Sequence, residues 1–265
     1  MPLDNNITYA FDVFEKKDVE LNRLFKQASA ITDFELEFLQ QHGLQDGIRF
    51  LDAACGPGAI SCLVAQKYMN MKVVGVDINK TLLEEAEKLA KDKGLQIEFC
   101  QSDIYDLKFE GCFDFVYSRF VFQHLSEPHK ALKSLYRTLR PGGRLCIADV
   151  DDSWLFLYPE VEAFQSLTRK GIERQAKAGG DRLVGRKLRN YLKDSGFTDI
   201  RVDVIPINSD QIGVKQFIDI STSFKENLVP AHENDNKGDL DELWKEVNKG
   251  DFFGMAGLFI ISGLK

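Results

Sequence analysis

Phe50-Leu51-Asp52-Ala53-Ala54-Cys55-Gly56-Pro57-Gly58-Ala59-Ile60 is the stretch that decides the fold. It begins as a short apolar run ending on an acid, passes through a tight loop of small residues, and opens an apolar helical pattern reaching Tyr68. Gly56 and Gly58 carry no Cβ, so a ligand can come close to the backbone there. The helix start that follows leaves N–H groups free to meet an anionic group. A plain glycine turn between a strand and a helix would look the same, so the flanking sequence has to discriminate.

Working outward, four more apolar runs each lead to a polar residue: Lys72 to Val76 before Asp77, Gln96 to Cys100 before Asp103, Phe113 to Tyr117 before Ser118, and Arg144 to Ala148 before Asp149. Helical patterns lie between them, with start signals at Thr32/Glu35, Thr81/Glu84 and Ser126/Pro128, and stop signals at Gly94 and Pro141-Gly142-Gly143. Alternating strands and helices imply parallel pairing through right-handed crossovers, and near-continuous apolar strands imply cover on both faces. Thr198 to Ile205 and Met255 to Ile261 read as a hairpin-like pair closing the edge. The expected fold is therefore α/β, a doubly wound seven-stranded mostly parallel sheet. Residues 1–43 are expected to form an N-terminal helical cap, and 44–265 the main domain, with cap insertions at about 151–190 and 208–250. The polar run His232 to Asp241 reads as an exposed, mobile turn.

The acids at the strand ends carry the chemistry. A carboxylate at Asp77 can accept two hydrogen bonds from a ribose diol, each worth about 1.5–3 kcal/mol. Asp103, in Gln101-Ser102-Asp103-Ile104, is placed to hold an adenine amino group. A surface acid explains any one of these, but not three at successive strand ends on the edge where such sheets bind ligands.

On these residues the chain resembles a class I S-adenosylmethionine-dependent methyltransferase over about residues 45–150. Asp52 to Gly58 is similar to the family's glycine-rich first motif, Asp77 to its ribose acid, and Ser102-Asp103-Ile104 to its adenine motif. Phe113 to Arg119 and Leu139 to Leu145 are similar to the fourth motif and the turn before the fifth strand. Ala54 departs from the pattern, standing where many members have the first glycine. The resemblance implies binding of S-adenosyl-L-methionine, with S-adenosyl-L-homocysteine as product, by Ala53, Ala54, Gly56, Gly58, Asp77, Ile78, Asp103, Ile104, Ser118 and Arg119. In similar enzymes the N-terminal segment folds over the donor, which adds Tyr9, Arg23 and Gln27. A nicotinamide-dinucleotide site is the rival. It wants G-x-G-x-x-G, whereas Ser61 stands at the third glycine and the charge of Asp52 would repel a pyrophosphate.

Methyl transfer from a sulfonium is an in-line displacement, for which alignment alone can supply about 7–11 kcal/mol. His124, after the fourth strand, is the candidate catalytic residue, against the alternative that it only holds a neighbouring loop. His42, His129 and His232 read as surface residues. Asp149, Asp151 and Asp152 read as caps of the next segment rather than an amine receptor. Trp154, Phe156, Leu157 and Tyr158 either line an apolar pocket or pack in the core. The basic residues of 169–189 (Arg169, Lys170, Arg174, Lys177, Arg182, Arg186, Lys187 and Arg189) read as a solvated helix face.

The bulk composition sets the frame for partners. The net charge of -7 argues against broad binding to nucleic acid. Five cysteines without a C-x-x-C pair suit free thiols in a reducing compartment and no metal site. With no leader-like start and no long apolar run, a cytoplasmic protein away from membranes is expected. The expected partner is a small-molecule substrate, with a homodimer left open. An RNA or protein acceptor, and a non-catalytic cofactor-binding remnant, are the alternatives.

Overall fold

The computed structural model describes residues 11, 17–29, 32–227 and 236–265. Two helices, α1 (Lys17–Ser29) and α2 (Thr32–Gln41), precede the strand β1 (Arg49–Ala53). Alternation then follows through α3 (Ala59–Lys67), β2 (Lys72–Asp77), α4 (Lys80–Asp92), β3 (Glu98–Gln101), β4 (Phe113–Arg119), α5 (Pro128–Thr138) and β5 (Leu139–Val150). The remainder comprises β6 (Phe156–Tyr158), α6 (Glu162–Lys177), α7 (Gly185–Asp194), β7 (Thr198–Asn208), α8 (Ser209–Ile212), α9 (Val214–Asn227), α10 (Lys237–Val247) and β8 (Phe253–Leu264).

Strands β3, β2, β1, β4 and β5 lie side by side and parallel. β8 runs antiparallel between β5 and β7, which is the expected closing pair. The sheet has one strand beyond the expected seven: short β6 pairs with the start of β8, past the end of β5. Its three residues are too few to show an alternation in sequence.

Side chains alternate across the sheet into two cores. Leu51, Val74, Val116, Leu145 and Ile261 pack on one face with α5 and α7, through Leu132, Leu135, Leu188 and Leu192. Phe50, Val73, Phe115, Cys146 and Ile260 pack on the other with α2 and α3, through Leu39, Ile60 and Val64. The insertions build a third, smaller core, in which Phe164, Leu167, Phe217, Ile218 and Leu243 join Leu157.

Several local expectations change. Asn79, not Thr81, caps α4, its side chain accepting from the Leu82 N–H at 3.0 Å. The side chain of Thr32 lies outside the described residues. So does His232, and Lys237 to Asp241 form the first turn of α10 rather than a loop. His42 is not at the surface but buried. Its Nε2 bonds Asp203 at 2.8 Å and its Nδ1 bonds Ser262 Oγ at 2.6 Å, while Arg144 donates to the same hydroxyl at 2.9 Å. Burial holds that imidazole below its ordinary pKa. Sequence periodicity could not reveal these partners, which come from strands β5, β7 and β8.

Gly58, expected to let a ligand approach, has a different task. Its φ is +75°, and a Cβ there would sit 2.7 Å from Ala86 Cβ on α4. The missing side chain lets α3 start against α4. A left-handed L-residue costs about 1–2 kcal/mol and overpacking about 1–3. Gly58→Ala is therefore expected to lower the unfolding free energy by about 2–4 kcal/mol in urea titrations. An unchanged midpoint would contradict this packing role.

Candidate active site

The tips of β1, β2 and β4 open onto a cavity of about 570 Å³, the size of a small-molecule site. At its heart stands Asp77, 8% exposed. One carboxylate oxygen accepts the Gly56 N–H at 2.8 Å and the other the Asn79 N–H at 2.8 Å. These bonds tie the tip of β2 to the glycine loop, while burial raises the acid's pKa. Around Gly56 (φ +54°) no atom lies within 4 Å of where a Cβ would point, so this glycine leaves the open approach. Asp52, beneath the loop, accepts from Ser61 Oγ at 2.6 Å, and burial pushes its pKa up to about 7.

Two residues other than glycine in the cavity wall, Ala54 (φ 62°) and Phe120 (φ 56°), hold left-handed backbone. Such strain persists where the surroundings over-determine it, commonly at functional sites. It also explains why a glycine suits the position of Ala54.

Arg119 lies in the wall over the ring of Phe120, 4.4 Å from its centroid. Its Nε donates to Glu35 of α2, and the Tyr117 hydroxyl donates to the same buried carboxylate. The expected cap residue Glu35 thus becomes the anchor of a cavity arginine. Arg23 of α1 also lines the cavity, its guanidinium forked onto buried Glu20 at 2.8 and 2.6 Å.

His124 lines the cavity and is 8% exposed. The Gln175 amide lies 2.9 Å from both His124 Nδ1 and the Gln123 carbonyl oxygen. A carbonyl can only accept, so the NH₂ face of Gln175 points this way and donates to Nδ1, leaving the ring proton on Nε2. Burial, then Arg182 and Arg23, lower the pKa to about 3. The geometry suits a neutral hydrogen-bond donor better than a base.

The structure brings together Arg23, Ala54, Gly56, Asp77, Ile78, Ile104, Arg119 and His124 around one cavity. Four other expected residues do not line it. Ala53 is buried in the sheet, Gly58 packs on α4, and the buried Ser118 hydroxyl finds no partner among the described residues. Asp103 caps a short 3-10 turn by accepting the Tyr105 N–H, while its neighbours Ser102 and Ile104 face the cavity. Tyr9 and the side chain of Gln27 lie outside the described residues.

The sequence reading missed the far half of the cavity, where Leu155, Ile207, Ile212, Phe217 and Ile220 meet Asp152 and Arg182. Of the supposed solvated basic face, Arg182 is tied inward, while Arg186 is paired yet stays exposed. Arg182 forks onto Asp152 at 2.8 Å twice, and Arg186 pairs with Asp151. Both acids thereby serve local structure, Asp151 also capping the turn at Asp152–Trp154. Among the four aromatic-run residues, Leu157 is core, whereas Trp154, Phe156 and Tyr158 are exposed. Among the described residues no group of three His, Cys, Asp or Glu could hold a metal, and no helix is long and apolar enough to cross a membrane.

Residues 44–208 match the family model described as a methyltransferase domain. The chain belongs to that family. Within it, the chain is 36% identical over 102 residues to the demethylmenaquinone methyltransferase of Thermus thermophilus, covering 38% of this chain and 46% of that protein. It is 25% identical over 211 residues to phosphoethanolamine N-methyltransferase 1 of Arabidopsis thaliana, covering 79% and 40%. Among solved structures, phosphoethanolamine N-methyltransferase 2 of Haemonchus contortus, in complex with phosphomonomethylethanolamine and S-adenosylhomocysteine, has a TM-score of 0.56 at 22% identity. That likeness covers 88% of this chain and 52% of the other, and shows the shared fold. The chain thus spans about half or less of the length of these relatives.

The state of His124 has a measurable consequence. The unfolded chain takes up a proton near pH 6.5, the folded one only near 3. The depressed pKa gives a contribution that is intact above about 6.5 and is lost as pH falls toward 3. His124→Gln escapes this loss, so the variant is expected to gain on the wild type between about pH 7 and about pH 4.5 in urea titrations. A stability difference independent of pH would contradict the buried neutral imidazole.

Proposed function

We propose that the chain is an S-adenosyl-L-methionine-dependent methyltransferase acting on a small molecule. The observation carrying this reading is the buried Asp77 carboxylate facing the cavity beside the uncluttered backbone of Gly56. Backbone donors on each oxygen fix the carboxylate in place, and a carboxylate's remaining lone pairs suit a vicinal diol. Ala54, Ile78, Ser102 and Ile104 stand around it to hold the rest of a nucleoside. Bound there, the donor supplies an electrophilic methyl group on a sulfonium.

This chain's own residues then align and exclude water. Arg119, held by the buried carboxylate of Glu35, brings α2 to the crevice, and Arg23, paired with Glu20 of its own helix, stands in the wall from α1. His124 is held as a neutral ring with Gln175 on its Nδ1, so it is not the group that deprotonates the acceptor. A dinucleotide reading is disfavoured by Asp52 directly beneath the loop, where a pyrophosphate would lie. Residues 1–43 and the insertions at about 151–190 and 208–250 are read as the cap that closes the site.

Asp77→Ala is expected to weaken S-adenosylhomocysteine binding by about 10- to 100-fold in calorimetry, the worth of one charge-assisted bond. Thermal unfolding of the same variant controls for the bond that Asp77 makes to the loop. Unaltered affinity in a folded variant would overturn the assignment.

A further inference from the structure

Beyond the region assigned to the donor, the cavity continues between β8 and the helices α8 and α9. Its wall there is Leu155, Ile207, Ile212, Phe217, Ile220 and Ala256. Five of these are only half-buried within the protein, and Phe217 is the exception at 2% exposure. Its ring lies flat on β8 because position 254 is glycine: a Cβ there would sit 2.3 Å from Phe217 Cε1. The wall is thus a fixed apolar floor with aliphatic side chains rising beside it.

Among the described residues, the guanidinium groups of the same cavity come in closed pairs. Arg182 spends Nε and Nη2 on Asp152, and Nη1 donates to Gln123. Arg23 is forked onto Glu20, and Arg119 is bound by Glu35. Asp151 is bound by Arg186. Lys80 stands near Glu84 at 3.7 Å. Each guanidinium in the wall therefore already has its carboxylate, and an entering phosphate would meet acids as often as cations. Among the described residues of the wall, the one imidazole, His124, is held neutral by burial.

We infer that the methyl acceptor is an uncharged molecule with an apolar, ring-sized body, seated on Phe217 and Ile220, its nucleophilic atom turned toward Gln123 and His124. This rests on the donor reading above. It sets the chain apart from the phosphorylated amine bound by the Haemonchus contortus structure, which shares its fold. An apolar body recovers the free energy of covering the half-buried wall, whereas a phosphate would be desolvated and meet, among the described residues, no guanidinium that lacks a carboxylate already.

The test is calorimetry on the full chain with S-adenosylhomocysteine, then 2-naphthol, then O-phosphoethanolamine, each also titrated alone. The expected result is binding of S-adenosylhomocysteine and 2-naphthol with no heat from O-phosphoethanolamine. Ile220→Lys, which places a charge in the apolar wall, should weaken 2-naphthol at least about tenfold and leave S-adenosylhomocysteine within about twofold. Should that variant fail to fold, Ile212→Ser is the milder alternative, with the same direction expected. Binding of O-phosphoethanolamine in place of 2-naphthol overturns the inference, as does 2-naphthol binding that neither variant weakens. Failure of S-adenosylhomocysteine to bind overturns the donor reading itself, and this one with it.

Discussion

The site depends on one carboxylate holding two strands' loops together. Asp77 reaches from the end of β2 to the amide of Gly56 in the loop after β1, and to the amide of Asn79 at its own helix start. Each oxygen has a backbone donor, so the group is pinned while burial resists its ionisation. Asp52 and Ser61 repeat the arrangement one layer below. The loop is in this way shaped by polar bonds that the protein makes before any ligand arrives. The left-handed Ala54 is one sign of what that shape costs.

A second set of buried polar contacts ties the N-terminal helix α2 to this frame. α2 carries Glu35 at one end, bonded to Arg119 and Tyr117 of β4, and is followed by His42, bonded to β7 and β8. The helix is riveted to the sheet on both sides of its apolar stripe. Buried pairs of this kind add little net stability over apolar packing, but they permit one register only when every member is satisfied. That register sets where Arg119 stands in the cavity wall.

The alternating core was legible because each of its first five strands announced itself by an apolar run ending in a polar residue, mostly an acid, with helix start or stop residues between them. The residues on the strand tips followed from that alternation. What sequence could not show were pairings across long separations. His42 looked like a surface residue because Ser262 and Asp203 are far along the chain. Arg182 looked solvated because its acid, Asp152, sits on a different segment. Gly56 and Gly58 looked alike as residues; only the position of Ala86 separates an open approach from a packing need. The far wall of the cavity escaped notice since Ile207, Ile212, Phe217 and Ile220 belong to a strand end and helices whose apolar residues read as ordinary core.

The placement of β8 between β5 and β7 bears on how the protein reaches its native state. Arg144 pairs with Leu264, and everything from Asp151 to Phe252 is looped out between these neighbouring strands. Residues 49–119, by contrast, form parallel pairs of short separation. Loop-closure entropy therefore delays the β5–β8 zipper relative to the nucleoside half of the crevice. A chain caught before that zipper closes would have its glycine loop in place with the apolar floor unbuilt, leaving Phe217, Ile218 and Leu243 uncovered and prone to associate with other chains.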